Sequence, residues 1–96
     1  MPARVVGLIR LLDPVAFEEY RVQVGATVEH YQGRILFRGA HRATFWNDLS
    51  CAAFDAFVEI EFPDELRLRA WAGSPEYARL LPVRERAMQL TLFAVS

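Results

Sequence analysis

The sequence lacks residue types on which whole classes of mechanism depend. None of its 96 residues is a lysine, so all 11 basic side chains are arginines. An arginine presents a planar fork of donors that suits carboxylates, and it keeps its proton at any physiological pH. A Schiff-base mechanism, which needs a lysine amine, is therefore excluded.

Cysteine and histidine, which most often build metal and redox sites, are also scarce. Cys51 is the only cysteine, which excludes an intrachain disulfide and a metal cage made of cysteines. His30 and His41 lack the close spacing of a metal-binding pair, and no cluster of carboxylates accompanies them. We therefore expect neither a metal nor a cofactor, with haem bound through one of the two histidines as an alternative hypothesis.

An excess of positive charge and a long hydrophobic run are both missing. The formal net charge is −1, whereas binding to a nucleic-acid backbone requires a concentrated positive face. The apolar run at residues 5–12 is interrupted by Arg10 and is too short for the core of a signal peptide or for a membrane span. We therefore expect a cytoplasmic protein that binds neither nucleic acid nor a membrane.

Hydrophobic residues, in contrast, are abundant for so short a chain, at 53% of the sequence. A chain of this length supports one domain, residues 1–96, and a domain of this size buries only about 60 to 70% of its unfolded surface. Part of the apolar surface should therefore remain exposed in a single copy. Since large apolar patches on small domains usually mark an interface, we expect a homodimer.

The first third of the chain predicts a strand followed by a helix. Residues 5–12 form a short apolar run that favours a buried strand. Asp13 can cap a helix in which Pro14 takes the first position, and apolar side chains recur at helical spacing as far as residue 32. Gly33 is predicted to end this helix in the left-handed conformation. Gly25 within it disfavours an unbroken helix, and a close packing contact is one reason for a glycine there.

The middle of the chain predicts two strands joined by a long connection. Residues 34–39 alternate between polar and apolar, and residues 54–62 alternate more clearly. The residues between them contain the turn-forming pair Asn47-Asp48, which favours a hairpin loop over residues 41–53.

The last third predicts broken helical structure and a final strand. Asp64 is a candidate cap for a helix that runs to residue 72, and Gly73 ends it. Ser74 and Pro75 repeat the capping pattern for a helical segment at residues 76–88 that breaks at Pro82. Residues 89–95 alternate again as a strand. The order is β-α-β-β-α-β, which predicts an α+β, ferredoxin-like fold: a four-stranded antiparallel sheet with two helices on one face.

Several short motifs within this order resemble a known family, the domain of unknown function 1330 (DUF1330), whose members are small proteins of the dimeric α+β barrel superfamily. The resemblance covers nearly the whole chain and depends on Arg38-Gly39, Glu61-Phe62-Pro63, Ala70-Trp71, Ser74-Pro75-Glu76-Tyr77 and Leu81-Pro82-x-Arg84. It implies a dimer in which two four-stranded sheets face each other, and it implies no particular reaction. Related superfamily members include cofactor-free monooxygenases, haem-degrading enzymes and lactone isomerases, but a shared fold does not transfer chemistry.

Strand alternation places the charged strand residues on one side of the predicted sheet. By parity, Arg10, Arg34, Arg38, Glu59 and Glu61 share a face, with Gln89 and Thr91 of the last strand on the same side. The opposite face should meet the helices and carries only apolar side chains, among them Ile35, Phe37, Val58, Ile60 and Phe62.

This charged face has two interpretations. Arg10, Arg38, Glu59 and Glu61 could orient a small polar or anionic ligand, because arginine binds carboxylates through two parallel hydrogen bonds. Alternatively, the two arginines neutralise the two glutamates across the sheet or at the dimer interface.

Three further residues are candidates for a ligand site, and none is assigned a catalytic role. His41, at the mouth of the hairpin, titrates near neutral pH and could carry a proton. Trp71 and Tyr77 could form the walls of a cleft between the helices and the sheet, although such aromatic residues often only fill a core. The resulting hypothesis is a dimeric α+β barrel that binds a small organic molecule in this cleft. One version of this hypothesis is that the protein is also a cofactor-independent enzyme. The alternative is a non-enzymatic interaction or scaffold module.

Overall fold

A computed structural model describes residues 1–96, in which four antiparallel strands form one sheet and all helices lie on one of its faces. The strands β1 (Ala3–Leu11), β2 (Arg34–Ala40), β3 (Ala56–Phe62) and β4 (Met88–Val95) lie in the order β2-β3-β1-β4, as the predicted β-α-β-β-α-β connection requires. The ferredoxin-like prediction is thus confirmed, and the sheet does not close on itself. The helices are α1 (Pro14–His30), which connects β1 and β2, and α2 (Glu65–Ala72), α3 (Pro75–Ala78) and α4 (Leu81–Ala87), which connect β3 and β4.

The start of α1 follows its sequence signals, whereas its end does not. The Asp13 carboxylate accepts a hydrogen bond from the backbone N–H of Val15 at 3.0 Å, as predicted. The left-handed residue after the helix is Gln32, with φ 66°, and the prediction that Gly33 adopts this conformation is wrong. Gly33 is needed for packing instead, because a Cβ there would lie 2.6 Å from the ring of Phe62.

The expectation of a packing contact at Gly25 is also wrong. A Cβ built at this position meets no atom within 4 Å outside its own helix turn.

The second helical region is divided into three segments by its caps. Asp64 accepts from the backbone N–H of Arg67 at the start of α2, and Ser74 accepts from that of Tyr77 at the start of α3. α3 ends at Ala78 and α4 begins at Leu81, so the break falls just before Pro82, although Arg79 and Leu80 between them keep right-handed dihedral angles. None of the helices is long and apolar enough to cross a membrane.

The hydrophobic core lies between the helices and the odd-numbered side chains of β1. α1 contributes one buried stripe, and α2 to α4 contribute another. The most deeply buried large side chains are Trp71, Phe62, Val5 and Val28.

A β-bulge in β2 changes which of its side chains meet the helices. Ile35 pairs with Ile60, but Phe37 pairs with Glu59, so Leu36 is an extra residue on this strand. After the bulge Arg38 lies opposite Val58, which belongs to the helix-facing side. The prediction that Arg38 shares a face with the other charged residues is therefore wrong, and so is the prediction that Phe37 meets the helices.

The other face of the sheet, here called the open face, carries no helix in one copy of the chain, and only residues 51–54 of the long loop between β2 and β3 border it, beside Leu8, Arg10 and Thr91. The predicted positions of Arg10, Glu59 and Glu61 on this face are confirmed by the strand register. Their pairing differs from the expected one. Arg4 binds Glu59 at 2.8 Å and Arg34 binds Glu61 at 3.0 Å, so the glutamates are neutralised by neither Arg10 nor Arg38.

The connection between β2 and β3 is a long loop without helix or strand, residues 41–55. It joins two neighbouring antiparallel strands, as the predicted hairpin requires. The Asn47 side chain donates to the carbonyl of Cys51 and accepts from its N–H, which closes a turn within the loop. Three large apolar side chains in the middle of this loop, Phe45, Trp46 and Leu49, are almost fully exposed.

Candidate functional site

A cavity of about 340 Å³ lies between α1 and the helix-facing side of the sheet. Of the 19 residues that line it, 15 are hydrophobic. Phe17 and Val24 form its helical wall, and Ile9, Val58 and Leu90 belong to its floor on the sheet. Its volume falls in the lower part of the range of about 300 to 1,000 Å³ that is typical of small-molecule sites.

Arg38 of β2 is one of the charged residues that line this cavity. The residue is solvent-exposed on one side and lines the cavity on the other, so it lies at the mouth. Unlike Arg4 and Arg34, it forms no ion pair. Partial burial, followed by the positive charge of Arg21, lowers the pKa of the Arg38 guanidinium.

The two other charged residues at the cavity already have partners. Arg21 of α1 pairs with Glu18 one turn earlier, at 3.4 Å. Asp55 precedes β3, and its carboxylate accepts from the backbone N–H of Leu11 at 2.8 Å. Arg38 is consequently the charged group at the mouth that has no partner.

Tyr20 brings a hydrogen-bond chain to the cavity wall. Its hydroxyl lies 2.9 Å from that of Tyr77, and Arg84 donates to the Tyr77 hydroxyl over 3.1 Å. The Arg84 guanidinium also stacks over the Tyr77 ring, with 5.7 Å to its centroid. Burial, followed by the neighbouring Tyr77, raises the pKa of the Tyr20 hydroxyl, which therefore keeps its proton.

Trp71 closes the inner end of the cavity and is held rigidly. Its indole packs against Phe62 and Tyr77, with ring centroids 5.4 and 4.8 Å away. Its Nε1–H donates to the Thr27 hydroxyl at 3.0 Å, and that hydroxyl donates to the Val24 carbonyl. The indole Nε1–H, which is the only polar group of the Trp71 side chain, thus has its hydrogen-bond partner within the fold.

The structure brings only part of the predicted site together. Arg38 and Trp71 line the cavity, and Tyr77 lies behind Tyr20 without lining it. Arg10, Glu59 and Glu61 lie on the opposite side of the sheet, where Arg10 reaches Gln89 at 3.5 Å. His41, just after β2, bonds the Thr44 hydroxyl at 2.8 Å and packs against the ring of Phe54.

The sequence reasoning did not select Tyr20, Arg21 or Asp55 for the site. Tyr20 was placed correctly on the apolar stripe of α1, and a phenol on such a stripe needs a partner for its hydroxyl. The need of this hydroxyl for a hydrogen-bond partner is the feature of the sequence that could have identified Tyr20. Nothing in the sequence indicates that Arg21 and Asp55 lie at the same opening.

Comparisons with known proteins identify a family and a fold. Residues 2–96 match the model of a family described as Domain of unknown function (DUF1330). No curated protein matches the chain.

Solved structures of similar shape share little sequence with this chain. A protein of unknown function from Rhodopseudomonas palustris has a TM-score of 0.78 at 18% identity, covering 98% of this chain and 80% of its own. SnoaB, a cofactor-independent oxygenase from Streptomyces nogalater, has a TM-score of 0.68 at 12% identity over 99% and 91%. A dimeric ferredoxin-like protein of unknown function from Thermobifida fusca YX has a TM-score of 0.64 at 15% identity over 100% and 91%. At these identities the likeness concerns the fold alone.

Proposed function

The chain belongs to the DUF1330 family, and on this premise we propose that it binds a small, largely apolar organic molecule in the cavity beneath α1. The observation that supports the proposal is the cavity itself, of about 340 Å³ with 15 hydrophobic residues among the 19 that line it. A small domain that leaves such a volume unfilled forgoes the packing contacts that would otherwise stabilise its core. An apolar occupant recovers those contacts and removes its own surface from water.

The proposed binding does not depend on any cofactor. SnoaB, which has the same fold, is a cofactor-independent oxygenase. If the protein is an enzyme, we propose that it carries out a cofactor-independent reaction on the bound molecule. The polar side chains that line the cavity besides Trp71 are those of Tyr20, Arg21, Arg38 and Asp55.

Binding can be tested with an uncharged apolar dye, N-phenyl-1-naphthylamine, whose emission rises in an apolar site. We expect saturable binding with one dye per chain. The variant Ala56→Phe, which fills the cavity from the sheet, should abolish binding, and Ala40→Phe should weaken it at the mouth. The matched control Ala26→Phe, on an exposed position of α1 that does not line the cavity, should bind as the wild type does.

Two results would contradict the proposal. One is the absence of saturable dye binding, and the other is binding that Ala56→Phe and Ala40→Phe both leave unchanged. In either case the non-enzymatic scaffold would become the better hypothesis.

The assembly that we propose is a homodimer formed through the open face. Phe37, Phe93 and Val95 are each about half exposed there, although the free side of an antiparallel sheet normally carries polar residues. The dimeric neighbour from Thermobifida fusca supports this arrangement at the level of the fold. A second copy would cover these side chains, and ion pairs such as Arg4–Glu59 would then lie at the interface.

Analytical ultracentrifugation tests the assembly. The wild type should sediment as a dimer, and Phe93→Glu should shift it toward the single chain. Leu66→Glu introduces the same charge at an exposed leucine of α2, on the helical side, and should leave the dimer intact. A wild type that stays a single chain at high concentration would disprove the dimer and leave the ligand proposal standing.

A further inference from the structure

The direction of the hydrogen bonds at Tyr20 determines what polar group the cavity can receive. Arginine has no acceptor, so the Tyr77 hydroxyl accepts from Arg84. Tyr77 and Tyr20 then share one hydrogen bond, and one of the two hydroxyl protons has no partner. Which tyrosine holds the free proton depends on which of them donates.

Burial favours one of the two directions. If Tyr20 donates to Tyr77, the free proton belongs to Tyr77, which is only 4% exposed and does not line the cavity. A buried donor without a partner is costly. If Tyr77 donates to Tyr20, the free proton belongs to Tyr20, which is 8% exposed but lines the cavity, so an acceptor bound in the cavity is the partner open to this proton. Occupation of the cavity by an acceptor therefore satisfies the whole chain from Arg84 through Tyr77 to Tyr20.

A positive charge faces the same space. Arg38 lies at the mouth without a carboxylate partner, and Arg21 lies beside it on α1. The only acidic residue that lines the cavity, Asp55, is held by the backbone N–H of Leu11. Arg21 is paired with Glu18, so Arg38 is the cation at the mouth that has no carboxylate partner and with which an anionic head can pair.

We propose that the cavity binds an apolar organic oxyanion, a carboxylate or phenolate on a hydrophobic skeleton, whose anionic oxygen accepts from the Tyr20 hydroxyl and faces the Arg38 guanidinium. This inference names the ligand class of the proposed function and rests on it. The apolar lining holds the skeleton, and the two polar groups select the charge of its head.

The experiment compares three compounds that share one skeleton and differ in charge. 2-Naphthoate is the anion, 2-naphthalenemethanol the neutral analogue and 2-naphthylmethylamine the cation, and each is titrated by calorimetry at neutral pH. We expect naphthoate to bind at least about tenfold more tightly than the alcohol, since hydrogen bonds to charged groups are stronger than those between neutral ones. The amine should bind most weakly.

Single substitutions test which residues cause the preference for the anion. Tyr20→Phe keeps the ring and removes the donor, and Arg38→Gln removes the charge. Each should weaken naphthoate about tenfold and change the affinity for the alcohol less than about twofold. Arg34→Gln is the matched control, because Arg34 lies on the same strand but on the open face. Arg38 is exposed and unpaired, so its variant remains informative even if Tyr20→Phe fails to fold.

Failure of this inference can be distinguished from failure of the proposed function. If N-phenyl-1-naphthylamine binds in the cavity and the three naphthalene compounds bind equally, the anion inference is wrong and apolar binding stands. An unchanged naphthoate affinity in Arg38→Gln would likewise overturn the role of Arg38. If neither the dye nor any naphthalene compound binds, both proposals are wrong.

Discussion

Arg34 and Arg38 lie on the same strand, an even number of residues apart, and yet point to opposite faces of the sheet. The extra residue at Leu36 accounts for this, because it shifts the alternation of β2 between Ile35 and Phe37. Arg34 consequently pairs with Glu61 on the open face, whereas Arg38 reaches the cavity without a partner. Because of this bulge, Arg34 forms an ion pair within the sheet, whereas Arg38 is available to a ligand.

This difference predicts unequal effects on stability. Arg38→Gln should change the free energy of unfolding by less than about 0.5 kcal/mol, because no hydrogen bond or ion pair of the guanidinium is lost. Arg34→Gln removes an exposed ion pair and should cost up to about 1 kcal/mol. Urea denaturation of both variants measures this. A loss at Arg38 larger than that at Arg34 would show that Arg38 has a structural role.

The two glycines near and within α1 predict opposite results for the same substitution. Gly33→Ala places a Cβ 2.6 Å from Phe62 and 2.9 Å from Val28, both fully buried, and should cost about 1–3 kcal/mol. Gly25→Ala meets no atom within 4 Å and should stabilise the helix by up to about 1 kcal/mol. Thermal and urea unfolding of the two variants test the pair. If both substitutions destabilise the protein equally, the packing described for α1 is incorrect.

The hydroxyl of Thr27 should contribute more to the stability of the fold than its methyl group does. It accepts from the buried indole N–H of Trp71, so Thr27→Val leaves that donor without a partner. We expect a loss of about 1–3 kcal/mol in the free energy of unfolding. Thr27→Ser retains the acceptor and should lose less than the valine variant does. The opposite order, with serine the more destabilising, would mean that packing outweighs the hydrogen bond.

Acid should destabilise the protein partly through Glu76. The Tyr31 hydroxyl, which donates to this carboxylate at 2.6 Å, is the main cause that holds the pKa of Glu76 below its usual value, with smaller contributions from His30 and Arg79. A carboxyl whose pKa is lower in the folded state contributes stability above its unfolded pKa, about 4.5, and loses it as the pH falls further.

Glu76→Gln should therefore reduce the fall in stability below about pH 4.5, because that contribution is already absent. Tyr31→Phe should have a similar effect, since it removes the main cause of the lowered pKa. Unfolding free energies measured from pH 7 to pH 3 compare both variants with the wild type. Two variants whose pH dependence matches that of the wild type would exclude a contribution from this pair.

Much of the fold could be predicted from local sequence signals. Asp13, Asp64 and Ser74 were identified as caps because a short polar side chain before a helix satisfies its free N–H groups. Alternation placed Glu59 and Glu61 correctly, because β3 is regular along its whole length. Such signals need only neighbouring residues, which the sequence displays directly.

The site was predicted less completely, for reasons that are not local. Trp71 and Arg38 were candidates and do line the cavity, but Arg38 was assigned to the wrong face, because no residue type in β2 marks the bulge. Arg10, Glu59 and Glu61 lie on the face away from the helices, as predicted, and therefore do not line this cavity. Tyr20 was placed on the core stripe and not in the site, because its partner Tyr77 is far along the chain.

The sequence by itself determined the order of the elements, the caps of the helices and the apolar stripes that bury against one another. These features follow from side-chain chemistry and from the periods of helix and strand. Only the tertiary structure decided that Arg38 reaches the cavity while Arg34 does not, and that Arg84, Tyr77 and Tyr20 form one hydrogen-bond chain. Both depend on strand register and on contacts between distant segments, which form when the whole sheet and its helices pack together.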